Sequence, residues 1–263
     1  MRRLLLILLL ISISPITLFP QTANRRDVKR HFIIDSYIGE EKEYQTPYYI
    51  FRTEKEYPKI LIDAGIHGDE VAGIYACDTV MKYINVLEGT VGFIPRVNMA
   101  AYQQNVRGVN VDLNQVFPGD PNGTIYEEKL AYDFMSFVDE FRPDYVINLH
   151  EAWTKFNEKL YNKQKDKSFG QTFITNSETY SDFLNRNLIR VNLQIENPEY
   201  KFRIQYFPYK ANHSMDNIIE KLKIPSYTVE TLRILPLEER INYQIYCILS
   251  FIEDAGIKFT YDR

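Results

Sequence analysis

The sequence predicts an α/β fold built on a mostly parallel β-sheet with helices on both faces. Runs typical of strands alternate with amphipathic helical runs along most of the chain, which is the order found in βαβ units. The segment YVINL at 145–149 is almost continuously apolar, as expected of a strand buried on both faces. With 263 residues and 45% hydrophobic content, the chain is long enough to form one sizeable core.

The individual elements follow from local patterns. Strands are predicted where β-branched and aromatic residues cluster: 48–52, 59–63, 91–95, 145–149, 171–175, 202–207 and 226–230. Helices are predicted where apolar residues recur at helical spacing: 70–87, 125–140, 177–195, 214–222 and 236–255. Ser177 is the expected N-cap of the third helix, and Pro236 is expected to start the last one.

The segment RGVNVDLNQVFPGDPNG at 107–123 matches no regular element, because its Gly, Pro, Asp and Asn residues interrupt any helix or strand. Its apolar residues predict an ordered loop that is pinned to the core: Val109, Val111, Leu113, Val116 and Phe117. The polar side chains are then expected to point away from the core: Arg107, Asp112, Asn114 and Gln115.

The N-terminus is typical of a secretory signal peptide. Arg2 and Arg3 precede an apolar run at 4–13 that is too short for a membrane span. We expect a signal peptide at 1–23 with cleavage after Ala23, an uncleaved anchor being the alternative, and a single catalytic domain at 24–263. The mature chain is therefore expected to be exported, without a stable membrane span.

Charge and cysteine content limit the partners. The formal net charge is −4 and the acids and bases are interleaved, so no nucleic-acid partner is expected. Cys77 and Cys247 both lie in apolar helical patterns, which predicts two buried thiols. Export would also permit a disulfide between them.

Side chains able to bind a metal or a proton follow three predicted strands. His67 and Glu70 come after the strand KILID, His150 after YVINL, and Glu230 ends SYTVE. Ligands of α/β sheets bind at the carboxyl ends of strands. Two imidazoles and one carboxylate, with a fourth position for water, are how catalytic zinc is held. Glu230 is then placed to act as the base that such a water requires.

Each of these signals is weak alone. The His-x-x-Glu spacing recurs with Asp as His213-Ser-Met-Asp216, which shows how easily it arises. His67 could be an ordinary loop histidine before a helix, and Glu230 could be a surface acid at a strand end.

Together the motifs resemble the zinc carboxypeptidase superfamily, in particular its succinylglutamate desuccinylase/aspartoacylase-like branch. They occur in the family's order, between residue 63 and about residue 240: His67-x-x-Glu70, Arg107, Asp112-Leu113-Asn114, Asn148-Leu149-His150 and Thr228-Val229-Glu230-Thr231. The resemblance implies a mixed, mostly parallel eight-stranded sheet between helices.

The resemblance also implies roles for individual residues. It makes His67, Glu70 and His150 the ligands of one Zn²⁺ per chain. Arg107 would polarise the scissile carbonyl and stabilise the oxyanion. Glu230 would activate the nucleophilic water and then protonate the leaving nitrogen. Tyr209 is the candidate for a substrate-covering tyrosine, although it lies one residue from the family spacing.

Two departures from the family pattern concern the substrate pocket and the metal ligands. Asn148 stands where the family usually has Asp. Gln115 replaces the arginine that normally grips a substrate carboxylate through a planar fork. Asn114 and Gln115 are thus expected to form a pocket floor without its main anion clamp. Arg233, with Arg96 behind it, is the nearest candidate for a replacement cation.

The sequence therefore predicts an exported zinc-dependent hydrolase that cleaves an amide bond, of carboxypeptidase or N-acyl amino acid deacylase type. Its substrate would be a small peptide or an N-acyl amino acid. The alternative is a catalytically weakened, carboxypeptidase-like binding protein for a peptide or a cell-wall fragment. A non-catalytic structural protein is a third class.

Overall fold

An eight-stranded sheet lies at the centre of the computed structural model, which describes residues 35–39, 42–156, 169–176, 181–206 and 214–263. The strand order is β1-β2-β5-β3-β6-β9-β7-β8. The pairs β5-β3, β3-β6, β6-β9 and β7-β8 are parallel, whereas β1-β2, β2-β5 and β9-β7 are antiparallel. This confirms the mixed, mostly parallel eight-stranded sheet.

The strands of this sheet coincide with the predicted ones except for β1. Their bounds are β1 Ser36–Ile38, β2 Thr46–Arg52, β3 Lys59–Ala64, β5 Thr90–Ile94, β6 Tyr145–Ala152, β7 Thr172–Thr175, β8 Arg203–Tyr206 and β9 Ser226–Leu232. β6 and β9 each continue two or more residues beyond their predicted ends. His150 is therefore in a strand rather than after it, and Glu230 lies within β9 rather than at its end.

Helices cover both faces of the sheet. They are α1 Val71–Tyr83, α2 Met99–Gln104, α3 Tyr126–Phe141, α4 Ser181–Asn192, α5 Met215–Lys221 and α6 Leu237–Asp254. One buried apolar cluster joins the sheet to α1, α4 and α6, and a second joins the other face to α3 and α5. Ser177, the predicted cap of α4, lies outside the described residues, as do the signal segment and Tyr209.

The alternation of side chains along the strands determines which face carries the polar groups. In β3, Ile60 and Ile62 pack on the α1 and α6 side, while Leu61 packs on the α3 and α5 side. Because successive side chains in a strand point to opposite faces, Asp63 lies on the same side as Leu61. By the same rule, the side chains of His150 and Val146 lie on the same face of β6, the one that faces α3 and α5.

The predicted helix 70–87 is wrong in its last turn. α1 ends at Tyr83, and residues Ile84–Glu88 form strand β4, which pairs antiparallel with β10, Lys258–Tyr261. Ile84 continues the helical apolar spacing, so the sequence pattern did not indicate that the helix ends and a strand begins there. The partner strand lies about 170 residues away, and both Lys55 and Lys258 hold the Glu88 carboxylate at 2.7 Å.

The segment 107–123 is only partly pinned to the core as predicted. Leu113 and Phe117 are fully buried; Leu113 begins a single 3₁₀ turn, Leu113–Gln115, and Phe117 follows it. Val109 and Val111 are 38% and 37% exposed, which contradicts the prediction for these two residues. The anchoring therefore begins at Leu113, and the stretch that carries Arg107 lies at the surface.

Both cysteines are buried free thiols, Cys77 in α1 and Cys247 in α6. Burial raises the pKa of each thiol well above its usual range. Within the described ranges, no helix combines the length and apolar character needed to cross a membrane.

Candidate metal centre

Three elements bring the predicted ligands to one buried point. His67 lies in the turn after β3, Glu70 is the N-cap of α1, and His150 is in β6. One ligand atom from each lies within 4.8 Å of the others. All three residues are 3% exposed. Among the described residues, this is the one group of three or more metal-binding side chains close enough to hold an ion.

Two glycines make the turn between β3 and α1 possible. Gly65 adopts a φ of +71°, a conformation that L-residues with side chains rarely adopt. At Gly68, a Cβ atom would lie 2.1 Å from the carbonyl carbon of Ala101 in α2. The backbone of this turn therefore approaches α2 closely, which places His67 against α2 and the loop that follows.

The donor set fits a metal ion. Nδ1 of His67 and Nδ1 of His150 each lie 2.8 Å from an oxygen of Glu70, and the two nitrogens are 3.1 Å apart. Nε2 of His67 donates to Asp112 Oδ1 at 3.1 Å, because an ionised carboxylate can only accept. This contact leaves the Nδ1 lone pair of the neutral ring facing Glu70, the tautomer that a metal requires.

Asp112 is the residue whose role the sequence left open. It accepts from the His67 ring and from the backbone N–H of Asn114 at 2.9 Å. Its pKa is lowered because the His67 hydrogen bond and the His67 and Arg107 charges outweigh the burial that would raise it. Its place in the Asp112-Leu113-Asn114 motif was the only sequence signal for this function.

The electrostatics of the cluster are those of a buried carboxylate between imidazoles. Burial would raise the pKa of Glu70, but His67 and His150 lower it well below its usual range. Burial would lower the pKa of His67, but the Glu70 charge and the hydrogen bonds to Asp112 and Glu70 raise it to about 9. A metal ion competes with that proton, so metal affinity is expected to rise with pH.

Arg107 reaches the cluster from the surface loop. Its Nη1 donates to Glu70 Oε1 at 3.2 Å and its Nε donates to Asp112 Oδ2 at 3.0 Å. The side chain is 55% exposed, so its guanidinium spans the boundary between the buried ligands and solvent. This is the position that a group contacting a bound substrate requires.

Glu230 lies beside His150 in the sheet. The two residues are in register on the parallel strands β6 and β9, so their side chains lie on the same face at neighbouring strand positions. The residue is partly exposed, but Oε2 is buried and has no hydrogen-bond partner among the described residues. Burial and the nearby Glu70 charge raise the pKa of Glu230 well above its usual range.

The predicted pocket floor is anchored through Asn114. Asn114 Oδ1 accepts from the backbone N–H of Met215 at 2.9 Å, which ties the loop to the first turn of α5. Gln115 follows it at an exposed position. Tyr209 and His213 lie outside the described residues.

Both candidate replacement cations already hold carboxylates. Arg233 donates to the Asp69 carboxylate at 2.8 Å and to the Asp69 carbonyl at 2.6 Å. Its guanidinium also stacks 4.3 Å from the ring centre of Trp153, which is 59% exposed. Arg96 forms a two-pronged ion pair with Asp78.

Asn148 lies in register between Asp63 and Thr228 on the neighbouring strands. Asn148 and Asp63 are both fully buried, and no side-chain polar atom of either has a hydrogen-bond partner in the described part of the chain. Burial and the charge of Asp216 raise the pKa of Asp63 well above its usual range. A carboxyl group thus lies beside the position where the family usually carries one.

A separate surface cavity of about 300 Å³ lies at the opposite ends of the strands. Its lining includes Lys59 and Thr90, the first residues of β3 and β5, and Phe141 at the end of α3. Charged residues of its wall are paired with each other, as in the Arg52–Asp35 and Lys59–Glu56 ion pairs. Within the described ranges, the one group of metal-binding side chains lies instead at the carboxyl ends of the strands.

The fold and the site define a carboxypeptidase-like α/β protein with a buried His–Glu–His cluster. Residues 56–169 match the family model described as the Succinylglutamate desuccinylase/Aspartoacylase catalytic domain. This match confirms the resemblance to the succinylglutamate desuccinylase/aspartoacylase-like branch of the zinc carboxypeptidase superfamily that the sequence predicted.

The chain is also similar to a curated protein and to several solved structures. N-alpha-acetyl-L-2,4-diaminobutyric acid deacetylase of Halomonas elongata is 35% identical over 102 residues, which are 37% of this chain and 29% of that protein. The product-bound structure of the cell shape determinant protein Csd4 from Helicobacter pylori has a TM-score of 0.76 at 20% identity over 83% of this chain. The ectoine utilization protein EutE (DoeB) from Ruegeria pomeroyi, also product-bound, has a TM-score of 0.61 at 16% identity over 83% of this chain.

The chain is shorter than these proteins. It spans 57% of the Csd4 chain and 62% of the EutE chain. At these identities the structural likeness establishes the fold.

Proposed function

We propose that this chain is an exported zinc-dependent hydrolase that cleaves an amide bond, of carboxypeptidase or N-acyl amino acid deacylase type. The observation that carries the proposal is the buried convergence of His67, Glu70 and His150, with Glu230 in register beside His150. The similarity to a deacetylase and the fold shared with Csd4, described as a D,L-carboxypeptidase, support amide-bond hydrolysis.

Zinc bound by the two imidazoles and Glu70 would supply a water of lowered pKa and a Lewis acid for the carbonyl oxygen. Asp112 keeps the proton of His67 on Nε2, so the ring presents Nδ1 to the ion. Glu230 takes the proton from the attacking water on its buried carboxylate, which its raised pKa favours. It then returns that proton to the leaving nitrogen.

Arg107 completes the reaction site. Its guanidinium already reaches an oxygen of Glu70, so a carbonyl oxygen that enters the cluster comes within reach of the same donors. Charge that develops on that oxygen is stabilised by a donor fixed in place before the reaction. Asp112 holds the other edge of the guanidinium and orients it.

The proposed substrate is a small peptide or an N-acyl amino acid, and the pocket chemistry supports only a weak requirement for a free carboxylate. Gln115 carries no charge, and Arg233 and Arg96 are both engaged with carboxylates. Export rests on the N-terminal sequence alone, where Arg2 and Arg3 precede an apolar run.

The second candidate is a carboxypeptidase-like binding protein for a peptide or a cell-wall fragment. Two departures favour it: Gln115 replaces the family's anion clamp, and Asn148 replaces its usual Asp. It predicts metal and ligand binding without turnover.

Metal analysis of the purified mature chain, together with a screen of peptides and N-acyl amino acids, tests both candidates. We expect about one zinc per chain, and its loss in His67→Ala. His213→Ala is the matched control, because it removes the other His of a His-x-x-acid pattern and should retain the metal. Full zinc occupancy in His67→Ala would refute the assignment of His67 as a metal ligand. Binding of peptides or N-acyl amino acids with no hydrolysis of any of them would favour the binding protein.

A further inference from the structure

A buried polar network lies on the opposite side of β6 from the metal centre. Glu151 follows His150 in the strand, so its side chain points to the other face of the sheet, towards α1 and α6. It is 4% exposed. There it accepts a hydrogen bond from the backbone N–H of Ala72 at 3.1 Å and forms an ion pair with Arg240 of α6.

Glu151 holds the ligand Glu70 by two routes. Its backbone N–H donates to Glu70 Oε2 at 3.0 Å. Its carboxylate binds the first turn of α1, of which Glu70 is the N-cap. The side chain of Glu70 makes no capping hydrogen bond of its own, so Glu151 supplies the acceptor that a helix N-terminus needs. Glu70 is thereby left free to face the imidazoles.

A second residue of α6 holds His150. The side chain of Gln244 is fully buried, and its Nε2 donates to the backbone oxygen of His150 at 3.0 Å and to Thr231 Oγ1 at 3.1 Å. Arg240 and Gln244 are four residues apart and therefore lie on the same face of α6. One helix face thus contacts β6 at two consecutive residues, His150 and Glu151.

We propose that Glu151, Arg240 and Gln244 are positioning residues that set the spacing of Glu70 and His150 at the metal centre. The inference rests on the metal-dependent function proposed above. The network touches neither the imidazole rings nor the Glu230 carboxylate in any contact described, so it acts through the positions of the ligands. A merely structural network would stabilise the packing of α6 on the sheet and leave the metal site unaffected.

Two variants and one control separate these possibilities. Glu151→Gln combined with Arg240→Gln removes the buried charges together, and Gln244→Met removes the donor to His150 at nearly constant volume. The control is Arg186→Gln, which breaks the Arg186–Asp254 ion pair between α4 and α6. Asp254 lies 14 residues after Arg240, roughly 21 Å along the helix.

The measurements are the zinc dissociation constant, by competition with a chromophoric chelator, and the visible spectrum of the cobalt-substituted protein. Mutation of a residue that hydrogen-bonds to a metal ligand typically weakens metal affinity by about 10- to 100-fold. We expect a loss of that size, with an altered cobalt spectrum, in the double variant and in Gln244→Met. Arg186→Gln should keep wild-type zinc affinity and an unchanged cobalt spectrum, because its ion pair with Asp254 lies far along α6 from Arg240.

Wild-type zinc affinity and an unchanged cobalt spectrum in both variants would overturn the inference while leaving the proposed function intact. If the double variant does not fold, Gln244→Met decides alone by the same two measurements. If wild type itself binds no zinc, the proposed function fails, and this inference fails with it.

Discussion

Replacement of Glu230 by Gln is the sharpest test of the reaction scheme. The amide keeps the size of the side chain but cannot take a proton from water at neutral pH. Glu230 is not among the three convergent ligand side chains, so metal content should not change. Loss of a general base typically lowers turnover by about 10² to 10⁴. At 1.36 kcal/mol per tenfold, that is about 2.7 to 5.4 kcal/mol in activation free energy.

The structure adds an opposite effect on stability. Burial and the Glu70 charge raise the pKa of Glu230, so the folded chain binds that proton more tightly than the unfolded chain does. Stability is then lost as pH rises above the unfolded value of about 4.3. In the presence of a chelator, Glu230→Gln should therefore melt at a higher temperature than wild type at pH 8, with little difference at pH 4.

The assay is single-turnover amide hydrolysis beside metal analysis and thermal melting of the same preparations. Glu220→Gln is the matched control for turnover and metal content, since it makes the same chemical change in α5, away from the metal ligands. Turnover of Glu230→Gln within about threefold of wild type, against the roughly hundredfold or greater loss of a missing general base, would show that the proton goes elsewhere. Loss of zinc from this variant would instead make Glu230 a ligand.

Three further experiments test other predictions from the structure. Arg107→Ala should lower kcat by about 10² to 10³, as loss of an oxyanion donor does, whereas a change confined to KM would make it a binding residue. With matched peptides that have free or amidated C-termini, wild type should discriminate between the two by less than about tenfold. Gln115→Arg should shift the preference to the free acid, because a bidentate charged contact is worth about 1.5–3 kcal/mol. Arg233→Ala should leave the wild-type preference unchanged. Burial and the charge of Asp216 raise the pKa of Glu220 to about 7. The contribution of Glu220 to stability therefore falls as pH rises from the pKa of the unfolded chain to about 7. Glu220→Gln should melt at a higher temperature than wild type at pH 8 but not at pH 4.

The elements that the sequence predicted are those whose signal is local. Strand β6 was visible because a strand buried on both faces is continuously apolar. Strand β4 was missed because Ile84 also fits the apolar spacing of the preceding helix, and its partner β10 is at the other end of the chain. Pairing with a distant strand overrides local helical periodicity, and no single-segment pattern records it.

The site was predictable to the extent that motifs recorded it. His67, Glu70 and His150 follow strands and match the resemblance, and the structure brings them together. The contacts that hold them in place were not predictable. Glu151 and Arg240 are 89 residues apart and Glu151 and Ala72 are 79 apart, and such contacts depend on how helices pack on the sheet. Glu151 looked like any acid at a strand end.

The charges around the pocket explain why the missing arginine at position 115 matters. Among the described residues, each arginine that the sequence placed near the site already holds a carboxylate: Arg107 binds Glu70 and Asp112, Arg233 binds Asp69, and Arg96 binds Asp78. A substrate carboxylate would have to compete with these fixed partners, at distances of 2.5–3.2 Å. A neutral amide has no such cost and finds both a donor and an acceptor in Gln115. We therefore expect a weaker preference for a free terminal carboxylate than an arginine at position 115 would give.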